Sequence, residues 1–219
     1  MADKVNEKKK QLESRSYVFD IKTEKRETGG STLVGMPIVY NSESDIGGWF
    51  REVIQAGALD GADLTDVPLI VNHNDKMIPV ARSRRNTPNS TLRLTIVPNG
   101  LEMQADLDTE NNMTAKELDS AVGRGDITGM SFRFGVESER WENLDSDYPT
   151  RYIEKFSKIA EVSAVTWPAY DATNINVARS KEVLDNARAA LDNARTAGSA
   201  QPLDNGNELE LLKEKIKLM

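Results

Sequence analysis

Between Ser16 and about residue 180 the chain is a train of short runs rich in Val, Ile, Thr and aromatic residues. Each closes on Gly, Pro, Asn or Asp: SYVFDIK, STLVGMPIVYN, WFREVI, DVPLIVNHN, IPVARS, TLRLTIVPNGLEMQADLD, ITGMSFRFGV and RYIEKFSKIAEVSAVTWPA. β-Branched and aromatic side chains fit a pleated surface, and turn residues at this spacing cut the chain into strand-length pieces. The pattern therefore predicts a mainly β fold with flanking helices, built as a barrel or curled sheet. Asn99-Gly100 between two apolar runs predicts a hairpin. A helix is expected in NNMTAKELDSAVGRG, with Thr114 as cap, Glu117 three residues on and Gly123 or Gly125 as the stop. It leads directly into the strand GMSFRFGV. A short helical turn is expected in AGALDGAD.

The two ends differ in kind from this middle. Residues 1–15 are charged and lack an apolar period, which predicts a flexible arm and neither a secretory signal nor a membrane anchor. Residues 181–219 read as helix with a break at GSAQPLDNGN. Within them LDNARAA is followed by LDNARTA, placing Leu and Ala on one stripe. Two such heptads are too few for a coiled coil, so this helix is expected to lie on its own chain or in solvent, with association into a homo-oligomer as the alternative. The resulting division is an arm at 1–15, a domain at 16–180 and a helical extension at 181–219.

Composition removes several function classes. The 219 residues can bury one substantial core. With 28 basic against 35 acidic residues, the net charge of −7 argues against a phosphate-neutralising surface, so nucleic acid is not an expected partner. No run reaches the roughly 18–20 apolar residues of a membrane span. With no cysteine and one histidine, the usual zinc ligand sets and thiol chemistry are unavailable, and no metal or cofactor is expected. The basic cluster ARSRRN reads as solvated, and no phosphate-cradling glycine motif is present.

What chemistry remains centres on Ser131. Strand parity puts Met130, Phe132, Phe134 and Val136 on one face and Gly129, Ser131, Arg133 and Gly135 on the other. The apolar face is complete without the serine. Ser131 and Arg133 then project together, about 7 Å apart, from a face that the glycines leave open to an approaching backbone. A solvent-facing Ser/Arg pair on an edge strand fits the same pattern. An imidazole base for Ser131 has one source, His73, at the end of the apolar stripe Val67, Leu69 and Val71; a partly buried structural histidine is the alternative. Glu161 shares parity with Ile159, Ser163, Val165 and Trp167. A carboxylate on so apolar a face needs a partner, whether His73 or a basic side chain across the sheet. Asp75 and Asp126 are rival acids. The sequence GMSFR lacks the second glycine of a hydrolase nucleophile elbow.

Taken in order, VNHN with His73, TGMSFRFGV with Ser131 and AEVSAVTWPAYDAT with Glu161 resemble the prohead serine proteases of tailed bacteriophages, which are similar to herpesvirus assemblins. GMPIVYN, EVIQAGALD and the NGLEMQADLD hairpin followed by a helix add to the likeness, which covers roughly residues 16–180. The resemblance implies a curled antiparallel β-barrel of assemblin type and a serine endopeptidase that needs no cofactor. It implies Ser131 as nucleophile, His73 as general base and then acid, and Glu161 as the orienting third member. Backbone N–H groups near the serine are the implied oxyanion donors, with Arg133 and Phe132 as candidate oxyanion or substrate contacts. The implied substrates are the major capsid protein with its scaffold segments, and the protease itself. The implied place is the host cytoplasm, inside the viral procapsid. The contrasting expectation is an inactive scaffold or capsid-assembly protein that keeps the protease fold.

Overall fold

The structure, a computed structural model, describes residues 12–18, 21–27, 29–166 and 181–199. The arm before residue 12, the WPAYDAT stretch and residues 200–219 lie outside the described residues. Eleven strands and two helices follow in chain order: β1 (Glu13–Val18), β2 (Lys22–Lys25), β3 (Ser31–Val39), β4 (Glu43–Ile46), β5 (Phe50–Ile54), β6 (Asp66–Val71), β7 (Ala81–Arg84), β8 (Leu92–Val97), β9 (Gly100–Leu107), α1 (Met113–Gly123), β10 (Gly129–Glu142), β11 (Thr150–Val165) and α2 (Lys181–Ser199). The fold is mainly β with flanking helices. None of the described helices is long and apolar enough to cross a membrane.

The strands form two sheets. One is the antiparallel ladder β2-β3-β9-β8; the other runs β1-β10-β11-β5-β4, with β6 also paired to β11 and β7 to β6. Pairing among the described strands does not close into one ring. Nor is it antiparallel throughout, as the resemblance implied: β11 pairs in parallel with β5 near its start and with β6 near its end. A 16-residue strand is long enough to take two short partners in succession along one edge. Inward-facing Leu33, Ile38, Leu101 and Met103 of one sheet meet Leu69, Met130, Phe132, Phe134 and Phe156 of the other, and α1 adds Ala115, Leu118 and Val122. The three phenylalanines stack mostly edge to face, with centroids 5.0 Å apart for Phe134–Phe156 and 6.2 Å for Phe132–Phe156, the arrangement their ring quadrupoles favour.

The hairpin forms, but its two-residue turn is Pro98-Asn99, and Gly100 already opens β9 opposite Val97. Gly100 sits at φ 152°, and a Cβ there would lie 1.9 Å from the Ile38 carbonyl oxygen, so close approach of β3 demands glycine. Helix α1 forms, but Asn112 and not Thr114 is its cap, accepting from the Ala115 amide at 3.2 Å. A short Asx side chain reaches that amide from outside the helix, whereas Thr114 is already in the first turn. AGALDGAD folds as successive turns with Gly57 and Gly61 at positive φ, which interrupts any helix. Glu13, Ser14 and Arg15, read as part of the arm, are in β1 and buried. Helix α2 lies on its own chain: Ala187 and Leu191 pack on Ile46 and Phe50 beside Trp49 and Trp141.

Candidate active site

Strand β10 carries Ser131 with the parity the sequence indicates. Met130, Phe132 and Phe134 are fully buried in the core, and Ser131 points the other way. That other face is not open, and β10 is not an edge. β1 covers one side of the strand and β11 the other, and Ser131 has no exposed surface. The Phe132 ring packs in the core against Phe134 and Phe156, on the face opposite Ser131.

Glu161 reaches the same face through an irregularity. Arg133 is opposite Glu161, but Phe134 is opposite Ile159, so the register between β10 and β11 slips past Ala160. The bulge breaks the simple alternation that grouped Glu161 with Ile159: Ile159 stays in the core, and Glu161 turns toward the serine face. Glu161 is 3% exposed.

His73 arrives from β6, whose parallel pairing with β11 ends at Val71 opposite Ala164. The histidine is therefore not on the strand but just beyond it. Asn72 and His73 adopt left-handed φ values of 51° and 55°, a region uncommon for non-glycine residues but entered by Asn and His more than by most, and fixed neighbours hold it here. The neighbours are present. The Asn72 amide donates to the Ala164 carbonyl at 2.9 Å, its side chain clamps Thr166, and the His73 amide donates to Ser163 Oγ at 3.2 Å.

The turn points the imidazole at Glu161, and His73 Nδ1 makes a short hydrogen bond to Glu161 Oε1. An ionised carboxylate only accepts, so Nδ1 carries a proton, and in the neutral ring Nε2 is the acceptor. Ser163 Oγ donates to the same carboxylate oxygen at 2.7 Å. Oε2 makes no hydrogen bond; its charge is met by Arg133 Nη1 at 3.3 Å. Burial pushes the Glu161 carboxyl up, but the His73 and Ser163 hydrogen bonds and the Arg133 charge outweigh it, leaving its pKa below the ordinary value. Of the rival acids, Asp75 pairs with Arg133 at 3.0 Å and Asp126 with Arg124, so Glu161 is the acid on the imidazole.

Ser131 and His73 do not bond directly. Ser14 Oγ of β1 stands 3.4 Å from His73 Nε2 and 3.4 Å from Ser131 Oγ, while Ser131 Oγ donates to the Arg15 carbonyl at 2.7 Å. Ser14, Arg15 and Ser163 are the site residues that sequence reasoning did not single out. Ser163 was visible as the parity neighbour of Glu161. Nothing in ESRSYV marked it as the partner of β10. Among the described residues no three His, Cys, Asp or Glu side chains cluster as metal ligands do. A depression of about 470 Å³ on the four-stranded sheet, lined by Lys22, Val34, Met36 and Glu102 among others, touches none of the Ser131 group.

No curated protein matches the chain significantly. Among solved structures it is similar to one described as that of the bacteriophage T4 capsid assembly protease, gp21, with 14% identity and a TM-score of 0.44 over 72% of this chain and 98% of that one. The family model described as caudovirus prohead serine protease matches residues 19–187, a segment that contains His73, Ser131 and Glu161 and begins just after β1. The chain belongs to the caudovirus prohead serine protease family.

Proposed function

We propose that this chain is the endopeptidase that trims scaffold segments from its phage's major capsid protein, and trims itself, inside the procapsid before DNA enters. Ser131 is the nucleophile, His73 the general base and acid, and Glu161 the group that orients His73. The observation that carries this reading is the Glu161–His73 pair on the face from which Ser131 projects, with Nε2 left as the acceptor.

In the reaction, Ser131 Oγ attacks the peptide carbonyl as its proton passes to His73 Nε2. Glu161 stabilises the imidazolium across the Nδ1 hydrogen bond. His73 then protonates the leaving amine and activates the water that releases the acyl group. Backbone N–H groups near Ser131 serve the oxyanion. Arg133, engaged by Asp75 and Glu161, is a positioning residue that keeps the carboxylate ionised and in place.

Ser131→Ala tests the reading against an inactive scaffold that only occupies the procapsid interior. The enzyme reading expects unprocessed capsid precursor and untrimmed protease with assembly of the shell unchanged. Normal processing by that variant contradicts it.

A further inference from the structure

β1 lies before the segment that matches the family, yet it covers the nucleophile. It pairs with β10 in continuous register from Glu13 opposite Phe134 to Val18 opposite Gly129. Alternation divides its side chains: Ser14 lies on the Ser131 side, where its small hydroxyl permits close approach, and Arg15 crosses to the side of Phe134.

There Arg15 enters a fully enclosed site. Its Nε and Nη2 donate to the two oxygens of Glu52 at 2.6 and 2.7 Å, and its guanidinium carbon is 5.4 Å from the Phe134 centroid. Arg15 and Glu52 are each 1% exposed. A planar fork on a desolvated carboxylate is a geometry that arginine fits and lysine does not. Arg151 Nη1 also donates to Glu52 at 3.0 Å, so the carboxylate keeps a counter-charge when Arg15 is absent.

The backbone of the same residue faces the reacting group, since the Arg15 carbonyl accepts from Ser131 Oγ. Arg15 thus has both relations that a protease has with the residue on the acyl side of the scissile bond: a carbonyl at the nucleophile and a side chain in a specificity pocket. The pose is nonetheless unproductive. The Ser131 proton is directed at the carbonyl oxygen, and the Ser14 hydroxyl separates Ser131 from His73.

We propose that β1 occupies the substrate groove of its own chain as a pseudosubstrate, and that Glu52 with Phe134 forms the pocket that reads an arginine on extended peptide substrates. Once β1 leaves, β10 becomes an edge that a substrate strand can join by the same main-chain pairing. The inference rests on Ser131 being the nucleophile.

The test is the rate at which a fluorophosphonate labels Ser131 in the full-length protein, in Arg15→Ala, and in Glu13→Gln, which loosens β1 while retaining the Arg15–Glu52 pair should Arg15→Ala fail to fold. Each is measured with and without the peptide LESRSYV, and with the same peptide carrying alanine at its arginine. Both variants label faster than the parent, Arg15→Ala by about tenfold or more as the open state gains population. LESRSYV slows the labelling of Arg15→Ala, and the alanine peptide does not. Unchanged rates in both variants, with the label still lost in Ser131→Ala, overturn the role of β1 while leaving the nucleophile in place. No labelling at Ser131 in any variant removes the nucleophile and this inference with it.

Discussion

The two halves of the site are built differently. On the His73 half, the contacts converge on the imidazole: Glu161 holds the ring, Ser163 ties Glu161 to the His73 backbone, and Arg133 meets the remaining carboxylate charge. On the Ser131 half, Ser131 is bonded to the Arg15 carbonyl, and Ser14 stands between it and His73. The first half is assembled from strands within the segment matching the family, and the second is completed by a strand outside it. The proposed acid–base pair is thus already assembled, whereas Ser131 is held apart from it by β1.

The sharpest way to break the first half is His73→Ala, which removes the chain's one imidazole, the proposed base, and lowers kcat/KM on a cleavable peptide by about 10⁴-fold or more. Glu161→Gln keeps the shape but loses the charge, and its amide NH2 can donate to Nδ1 and so favour the wrong tautomer. It lowers kcat by about 10²–10⁴-fold while the melting curve stays cooperative, which steady-state kinetics and circular dichroism together check.

The second half is broken through its ion cluster. Glu52→Ala leaves the Arg15 guanidinium buried without its bidentate partner, and urea denaturation registers a loss of about 3–5 kcal/mol. Acid probes the same cluster more gently. Burial pushes the Glu13 carboxyl up, but hydrogen bonds and charge from Arg151 and Arg15 hold it down at about 2. A carboxyl held below its unfolded value of 4.5 contributes stability fully above that value and loses it as pH falls toward about 2. Arg15, Arg151, Glu52 and Glu139 are the charged groups around this cluster, and the arginines stay protonated throughout. Urea unfolding between about pH 5 and pH 2 is therefore flatter for Glu13→Gln than for the parent. The smallest effect falls to Ser163→Ala: losing the hydroxyl's bonds to the Glu161 carboxylate and the His73 amide reduces kcat by about 5–30-fold, about 1–2 kcal/mol in the barrier, leaving KM unchanged.

Much of this was legible in the sequence, for identifiable reasons. The parity of GMSFRFGV holds because Met130, Phe132 and Phe134 have one way to face the core. A lone histidine admits no competitor. Helix α2 followed its Leu/Ala stripe onto a neighbouring aromatic patch, with Arg188 lying over Trp49. What was hidden depends on chain segments far apart. The slip past Ala160 arises from pairing with β10 and leaves no local mark. The left-handed backbone at His73 is imposed by Ser163 and Ala164, about ninety residues away. The charged run ending in ESR read as an arm because Glu13 and Arg15 are ordinarily solvent residues. They are buried here only because Glu52 and Arg151 supply the opposite charges.

The most direct test of the central claim is the mapped site of fluorophosphonate attachment on the full-length protein. The expected result is one slow adduct, on Ser131, that disappears in both Ser131→Ala and His73→Ala. An adduct on Ser14, or labelling of Ser131 at an unchanged rate without His73, contradicts it.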